Sequence, residues 1–376
     1  MANIGALSTP PPAIAPDTPT AVTAFIDFFS SGPIDVPTPA ASFLEFEQTF
    51  GGLDSRSEAS YQVQQFFNNG GQSALVLRIA PEPSSPLFTS ALKSALTSLN
   101  LPFNLLCIPA TANLEAADMR AVMTAAQTFC AAKRAFYIAD IPPATVITGP
   151  SAIASWFGLS GLKALDSAAT YYPRLIIPDP LQQGAPREVG YSGAAAGIYG
   201  RTDSTRGVWK APAGANAAIA GATPVVKISD MANGDLTVLG INAIRSFPNI
   251  GAVLWGARTT AGASNSDFRY VNVRRLALYL EQSLLDGLQW VAFEPNGPAL
   301  WASISLAVDS FLIKLWQQGA FQGSKAQQAF FVTCDATTTT LADIENGRVN
   351  VQIGFAPLKP AEFVILSISL LTAPRP

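Results

Sequence analysis

The sequence predicts a mixed α/β fold, and three patterns predict it. Short runs rich in β-branched and large apolar residues recur along the whole chain. Segments with apolar residues at helical spacing alternate with them. Glycine or proline punctuates most of the changes from one to the other. Such alternation packs helices on a sheet, and a length of 376 residues suggests two or three domains.

Residues 1–20 contain Pro10, Pro11, Pro12, Pro16 and Pro19 among small residues, which forbids a helix and predicts an extended, polyproline-like arm. A strand is predicted over 21–29, ended by Gly32-Pro33. Residues 42–50 read as a short helix, with Ser42 at the N-cap and Glu45 three residues on, a capping box. A second helix over 57–69 has Tyr61, Val63, Phe66 and Phe67 on its apolar face and is closed by Gly70-Gly71. Then come a buried strand (74–79), a helix (88–99), a strand (104–108), a helix (115–132), a strand (135–140), a short helix (151–159) and a strand (168–177). Residues 186–221 are rich in Gly and Ala. Gly193, Gly197 and Gly200 mark a helix of small residues that can pack close to a neighbour.

From about residue 240 the pattern changes to strand, helix, helix, strand, strand, strand. The strands are 251–258, 329–334, 348–354 and 363–371; the helices are 269–290 and 296–318, the second capped by Asn296 with Pro298 in its first turn. The last strand lies between Pro357 and Pro360 on one side and Pro374 on the other. An apolar strand with an open edge needs a partner or becomes an aggregation hazard. The expectation is that it pairs at least partly with a second copy of the chain, so that Phe363, Val364, Ile365, Leu366, Ile368 and Leu370 enter a neighbouring sheet.

Composition excludes several functions. A net charge of -3, with 13% charged residues, provides no basic field for nucleic acid. The absence of histidine removes Ser-His-Asp and Cys-His nucleophile pairs and the commonest metal ligand. Cys107, Cys130 and Cys334 are far apart with apolar flanks, the pattern of buried free thiols. There is no phosphate-cradling loop, and the Gly193, Gly197, Gly200 spacing is wrong for a dinucleotide site. Gly190, Tyr191, Ser192 and Gly193 fall one residue short of a nucleophile elbow. Asp335, Asp343 and Glu345 read as a solvated turn rather than a hard-metal loop. Arg201, Asp203 and Arg206 read as a structural ion pair in preference to an anion site. No catalytic residue, cofactor or metal site is expected. The first basic residue is Arg56, so no positively charged leader is expected, and no uninterrupted apolar run reaches the ~18 residues that span a bilayer. Synthesis in the cytosol without membrane insertion is the expectation.

Several blocks, in order, resemble the contractile tail sheath family of phages, R-type bacteriocins and related injection systems. They are SFLEFEQTFGGLD at 42–54, VQQFFNNGG at 63–71, SGAAAGIYGRTD at 192–203 and RGVWKAPAG at 206–214. Shorter ones follow at 240–245, 270–275, 293–296, 329–334 and 356–364. The resemblance implies a structural subunit, not an enzyme, stacked as hexameric rings around an inner tube and contracting to drive that tube through a target envelope. It implies an inner domain with a mixed sheet and two helices, completed by strands from neighbouring subunits, and an outer α/β domain. Carried onto this chain, 1–23 is a linker arm, 24–239 the outer domain and 240–376 the inner domain. Val22 joins the C-terminal residues as a strand-donation candidate, and Asp309 and Lys314 are candidates to face the tube. Implied partners are further copies, the tube protein, baseplate and terminator or cap proteins, and paralogous sheath subunits. Implied locations are the bacterial cytoplasm during assembly and then a phage tail or tail-like particle released by lysis. The competing readings are an α/β enzyme or binding protein taking a small anion at Arg201, Asp203 and Arg206, and a soluble oligomer that does not contract.

Overall fold

Residues 13–14, 18–162, 165–262 and 267–358, and the backbone of 364–371, are described by a computed structural model. The chain forms two units. One is Pro19–Arg275; the other joins the two chain ends, Met1–Thr18 with Leu276–Pro376.

The unit Pro19–Arg275 begins with β1 (Thr23–Phe28), β2 (Thr38–Ala40), α1 (Phe43–Phe50), α2 (Glu58–Asn68), β3 (Ala74–Ile79) and α3 (Phe88–Ser98). It continues through β4 (Leu105–Cys107), α4 (Ala116–Lys133), β5 (Phe136–Ala139), α5 (Pro150–Leu159), β6 (Ala168–Tyr172), β7 (Leu175–Asp179) and β8 (Ala185–Val189). Then come α6 (Ser192–Arg206), β9 (Thr223–Pro224), α7 (Asp230–Leu239), β10 (Asn242–Phe247) and β11 (Gly251–Leu254). The boundary between the units falls within α8 (Val271–Gly287).

One sheet runs β11-β10-β6-β5-β4-β1-β3-β2. Its inner pairings are parallel, and antiparallel pairs occur only at its two ends, β10 with β11 and β2 with β3. Parallel strands are covered on both faces, which is why β1, β4 and β5 are buried at every position and show no polar alternation. A smaller antiparallel sheet runs β8-β7-β9.

The strand expected over 168–177 is two strands. Pro173 lies between β6 and β7 and has no N–H for a ladder, so β6 stays in the large sheet and β7 leaves for the small one. The division near 240 is also displaced. β10 pairs in parallel with β6, which places 240–275 with the large sheet rather than with the chain ends. The α7 helix, absent from the sequence reading, is closed by local signals: the Ser229 side chain accepts from Ala232 N, and Gly240 takes φ 86° at the C-cap. The Ser42 cap forms as expected, accepting from Glu45 N at 3.2 Å, but Glu45 reaches back to Ala41 N, one residue before the cap.

The small-residue helix α6 packs on α2. A Cβ added at Gly193 would collide with the Gln62 carbonyl oxygen, and one at Gly197 with that of Phe66. Only glycine lets the two backbones approach so closely.

In the second unit, α8 is followed by α9 (Pro298–Gln317), α10 (Ala326–Ala329), β12 (Phe330–Thr333), α11 (Leu341–Glu345), β13 (Arg348–Phe355) and β14 (Val364–Leu371). The core combines Leu280 and Leu284 of α8, Ile304, Val308, Phe311 and Leu315 of α9, and the alternate residues Val349, Val351, Ile353 and Phe355 of β13. Ile14 is buried here and lies so close to Gly287 that a Cβ there would collide with it. Asn296 is not the cap of α9. Gly297 holds that position, while Asn296 accepts from Trp301 Nε1 at 2.9 Å and donates to Arg348 O at 2.8 Å. The α9 helix is 20 residues long and apolar enough, by length and composition alone, to cross a membrane. Its buried residues recur at helical spacing and face the core of its own unit, as in an amphipathic core helix.

Candidate assembly surfaces

Asp203 lies three positions from the end of α6, and its carboxylate is buried. Arg275 grips it with both nitrogens, Nη1 to Oδ1 at 3.0 Å and Nη2 to Oδ2 at 2.6 Å, with the two side chains 3% and 5% exposed. The same Nη2 donates to Thr20 O at 2.9 Å, and Thr20 Oγ1 donates to Asp203 Oδ2 at 2.7 Å. The guanidinium also covers the Tyr199 ring at 4.9 Å. This cluster clamps the point where the N-terminal segment enters the unit Pro19–Arg275. Arg275 and Thr20 were not singled out from sequence, because they lie 72 and 183 residues from Asp203.

Val22 does not have the free backbone that donation to a neighbour requires. Its carbonyl accepts from Asn104 N at 2.8 Å and Leu105 N at 3.0 Å, and its N–H donates to Asn104 Oδ1 at 3.0 Å. The residue leads into the buried strand β1, so its polar groups are committed within its own chain.

β14 pairs antiparallel with β13 along all eight residues, Val364 opposite Phe355 through Leu371 opposite Arg348. The strand expected to pair at least partly with a second copy therefore has one side taken by β13 of its own chain. On the other side, among the described residues, no strand pairs with β14, which ends the sheet β12-β13-β14. Val364, Ile365, Leu366, Ile368 and Leu370 lie in this strand; Phe363 lies outside the described residues.

On α9, Ala302, Leu306, Ser310, Ile313 and Gln317 form one exposed stripe, with Leu306 56% and Ile313 37% exposed. At about 100° per residue, Asp309 and Lys314 sit on opposite flanks of this stripe. Asp309 is half-buried and its carboxyl is pushed up by desolvation, whereas Lys314 is exposed.

The side chains of the chemistry-bearing motifs make bonds within the fold. Ser192 is buried and its hydroxyl donates to Asp140 Oδ2 at 2.5 Å, while Tyr191 N and Ser192 N donate to Oδ1. Burial pushes the Asp140 carboxyl up to about 6 against these bonds and against Arg174. Arg174 itself bridges Glu58 at 2.8 Å and Glu188 at 2.9 Å. Asp335 accepts from Thr337, and Asp343 completes a capping box with Thr340, so both are turn and cap residues. The three cysteines are buried and unpaired.

A profile described as the phage tail sheath C-terminal domain matches residues 263–370. A putative prophage major tail sheath protein of Pseudomonas aeruginosa (strain UCBPP-PA14) is 27% identical over 222 residues, 54% of this chain and 55% of that protein, so the match spans about half of that relative's length. The helical sheath of the anti-feeding prophage in its contracted state is 30% identical with a TM-score of 0.74, covering 97% of each chain. The chain belongs to the contractile tail sheath family. The sheath of the PVC extracellular contractile injection system, also contracted, superposes with a TM-score of 0.75 at 28% identity, over 97% of this chain and 95% of that one. This sheath subunit thus carries its open strand edge and its exposed α9 stripe on the unit formed by the chain ends.

Proposed function

We propose that the chain polymerises as stacked hexameric rings around an inner tube, and that the rings contract to drive the tube through a target envelope. The observation that carries this is the eight-residue ladder by which the C-terminal strand β14 lies on β13 at the end of its sheet, in a unit built from both ends of the chain. The ladder between β14 and β13 is one that a neighbour's β14 could form in the same register. An exchanged strand keeps the same contacts, so its cost is confined to the connection, where Pro357 and Pro360 stand. Each exchanged strand is a weak link. Repetition round a ring raises the effective concentration of the next contact and makes the lattice stable. Contraction is then a rigid-body switch between two packings, with the exchanged strands kept.

In this reading the unit of the chain ends faces the tube through the α9 stripe, flanked by Asp309 and Lys314. The unit Pro19–Arg275 faces outward, and the particle engages baseplate and terminator proteins, with or without paralogous sheath subunits. The role is structural, with no catalysis, and assembly takes place in the bacterial cytoplasm before release in a tail-like particle.

Removing residues 361–376 tests the proposal. The expected product is a soluble subunit with unchanged helical signal that forms no striated hollow cylinders in negative-stain microscopy. Cylinders of normal length from it would refute strand exchange. An N-terminal truncation should stop before Ile14, since Ile14 is buried in the unit of the chain ends and Thr20 is bonded to Asp203 in the unit Pro19–Arg275.

A further inference from the structure

The structure divides the 201–206 motif in two. Asp203 turns to Arg275 and Thr20, while Arg201 and Arg206 line a separate cavity of about 150 Å3 together with Lys210, Thr202, Thr205 and Asn216. No acidic residue lines it. Among the described residues none of the three basic side chains makes an ion pair. Arg201 donates to Ala218 O at 2.9 Å, and the burial of its guanidinium without a counter-charge holds its pKa below the usual arginine value. In a chain with only 23 basic residues, three unpaired cations round one small cavity form a concentrated positive site.

We propose that this cavity is an oxyanion site, filled by the phosphate of a small ligand or by a carboxylate of a second copy of the chain. Arginine donors in a fork and a lysine point charge suit three-oxygen and two-oxygen anions alike, and the volume holds one such group with its water. The two sources share the chemistry, and the sequence supplies the second: residues 1–18 and 276–376 carry nine acidic against five basic residues, so that end of a neighbouring copy is anionic. The bland account is that Arg206, in the last turn of α6, merely offsets the helix dipole. That account predicts a small loss of stability on its removal and no dependence on any anion.

The test uses the full-length subunit and the variant R206Q/K210Q. Arg201 is kept, because its bonds support the backbone near Ala218. Inorganic phosphate is titrated at constant ionic strength made up with chloride, and thermal melting and 31P line width are followed. The wild type should show a saturable rise in melting temperature and phosphate line broadening. The variant should need about tenfold more phosphate or worse, since each lost charge-assisted bond weakens binding by roughly that factor. Equal responses from the two proteins, or no response from the wild type, overturn the site. A second arm, which alone rests on sheath assembly, identifies the source. Phosphate released when washed polymers are denatured marks a small ligand. Phosphate-free polymers that fail to form from the variant mark a neighbour's carboxylate. Phosphate-free polymers that form equally well from the variant count against the site.

Discussion

Replacing Arg275 by Met should weaken the subunit more than any surface change. The substitution keeps an unbranched apolar stem but removes the guanidinium that makes two bonds to Asp203 and one to Thr20. Asp203 would stay buried with only the Thr20 hydroxyl facing it. Breaking a buried ion pair from one side costs about 3–5 kcal/mol, because the remaining charge is uncompensated. For a unit of this size that corresponds to a fall in melting temperature of roughly 10 °C. The reporters are Trp156, Trp209 and Trp255, all in the unit Pro19–Arg275, read by fluorescence during urea and thermal unfolding. The double variant R275M/D203L removes both charges and should recover most of the loss, because the desolvation penalty goes with them. Thr20 O would lose its Arg275 bond in R275M, and its hydroxyl would lose Asp203 as well in the double variant, so the N-terminal segment should become more sensitive to protease in both. A loss below about 1 kcal/mol, or a double variant as unstable as the sum of the singles, would refute the argument that this pair is a buried clamp.

Two further outcomes follow from the packing. Burial pushes the Asp27 carboxyl up to about 7, despite bonds from Ala59 N and Phe28 N, while its value in the unfolded chain is the ordinary ~3.9. The native state therefore binds more protons between those values, so this group's contribution to stability falls as pH rises from about 4 to about 7. Asp54, Asp179, Asp335 and Asp343 are shifted downward and act in the opposite sense, losing stability on acidification. The diagnostic quantity is thus the difference between wild type and Asp27→Asn in urea midpoints across that range, and the variant should gain most at the alkaline end. On the α2–α6 seam, Gly197→Ala should cost about 1–3 kcal/mol by forcing the helices apart. Gly234→Ala in α7, where an added Cβ meets nothing within 4 Å, should gain up to ~1 kcal/mol; equal thermal shifts in the two variants would dismiss the close-approach argument.

Local pattern carried much of this protein. Helix periods and glycine stops placed α2 and α4 within a residue or two, and the run at 74–79 coincided with β3; the small-residue stretch at 193–200 found the start of α6 but not its last six residues, which reach Arg206. The absence of histidine removed whole classes of chemistry, and the small-residue stretch at 193–200 announced a close seam. These features depend on interactions within a turn or two, so they are written in consecutive residues. What tertiary structure alone decided was partnership. That β10 joins β6, that Asp203 takes Arg275 and leaves Arg201 and Arg206 to a cavity with Lys210, and that β14 lies on β13 are choices between many equivalent donors, acceptors and edges. Each strand edge and each charge is locally complete, and only the burial achieved when the whole chain packs determines which candidate meets it.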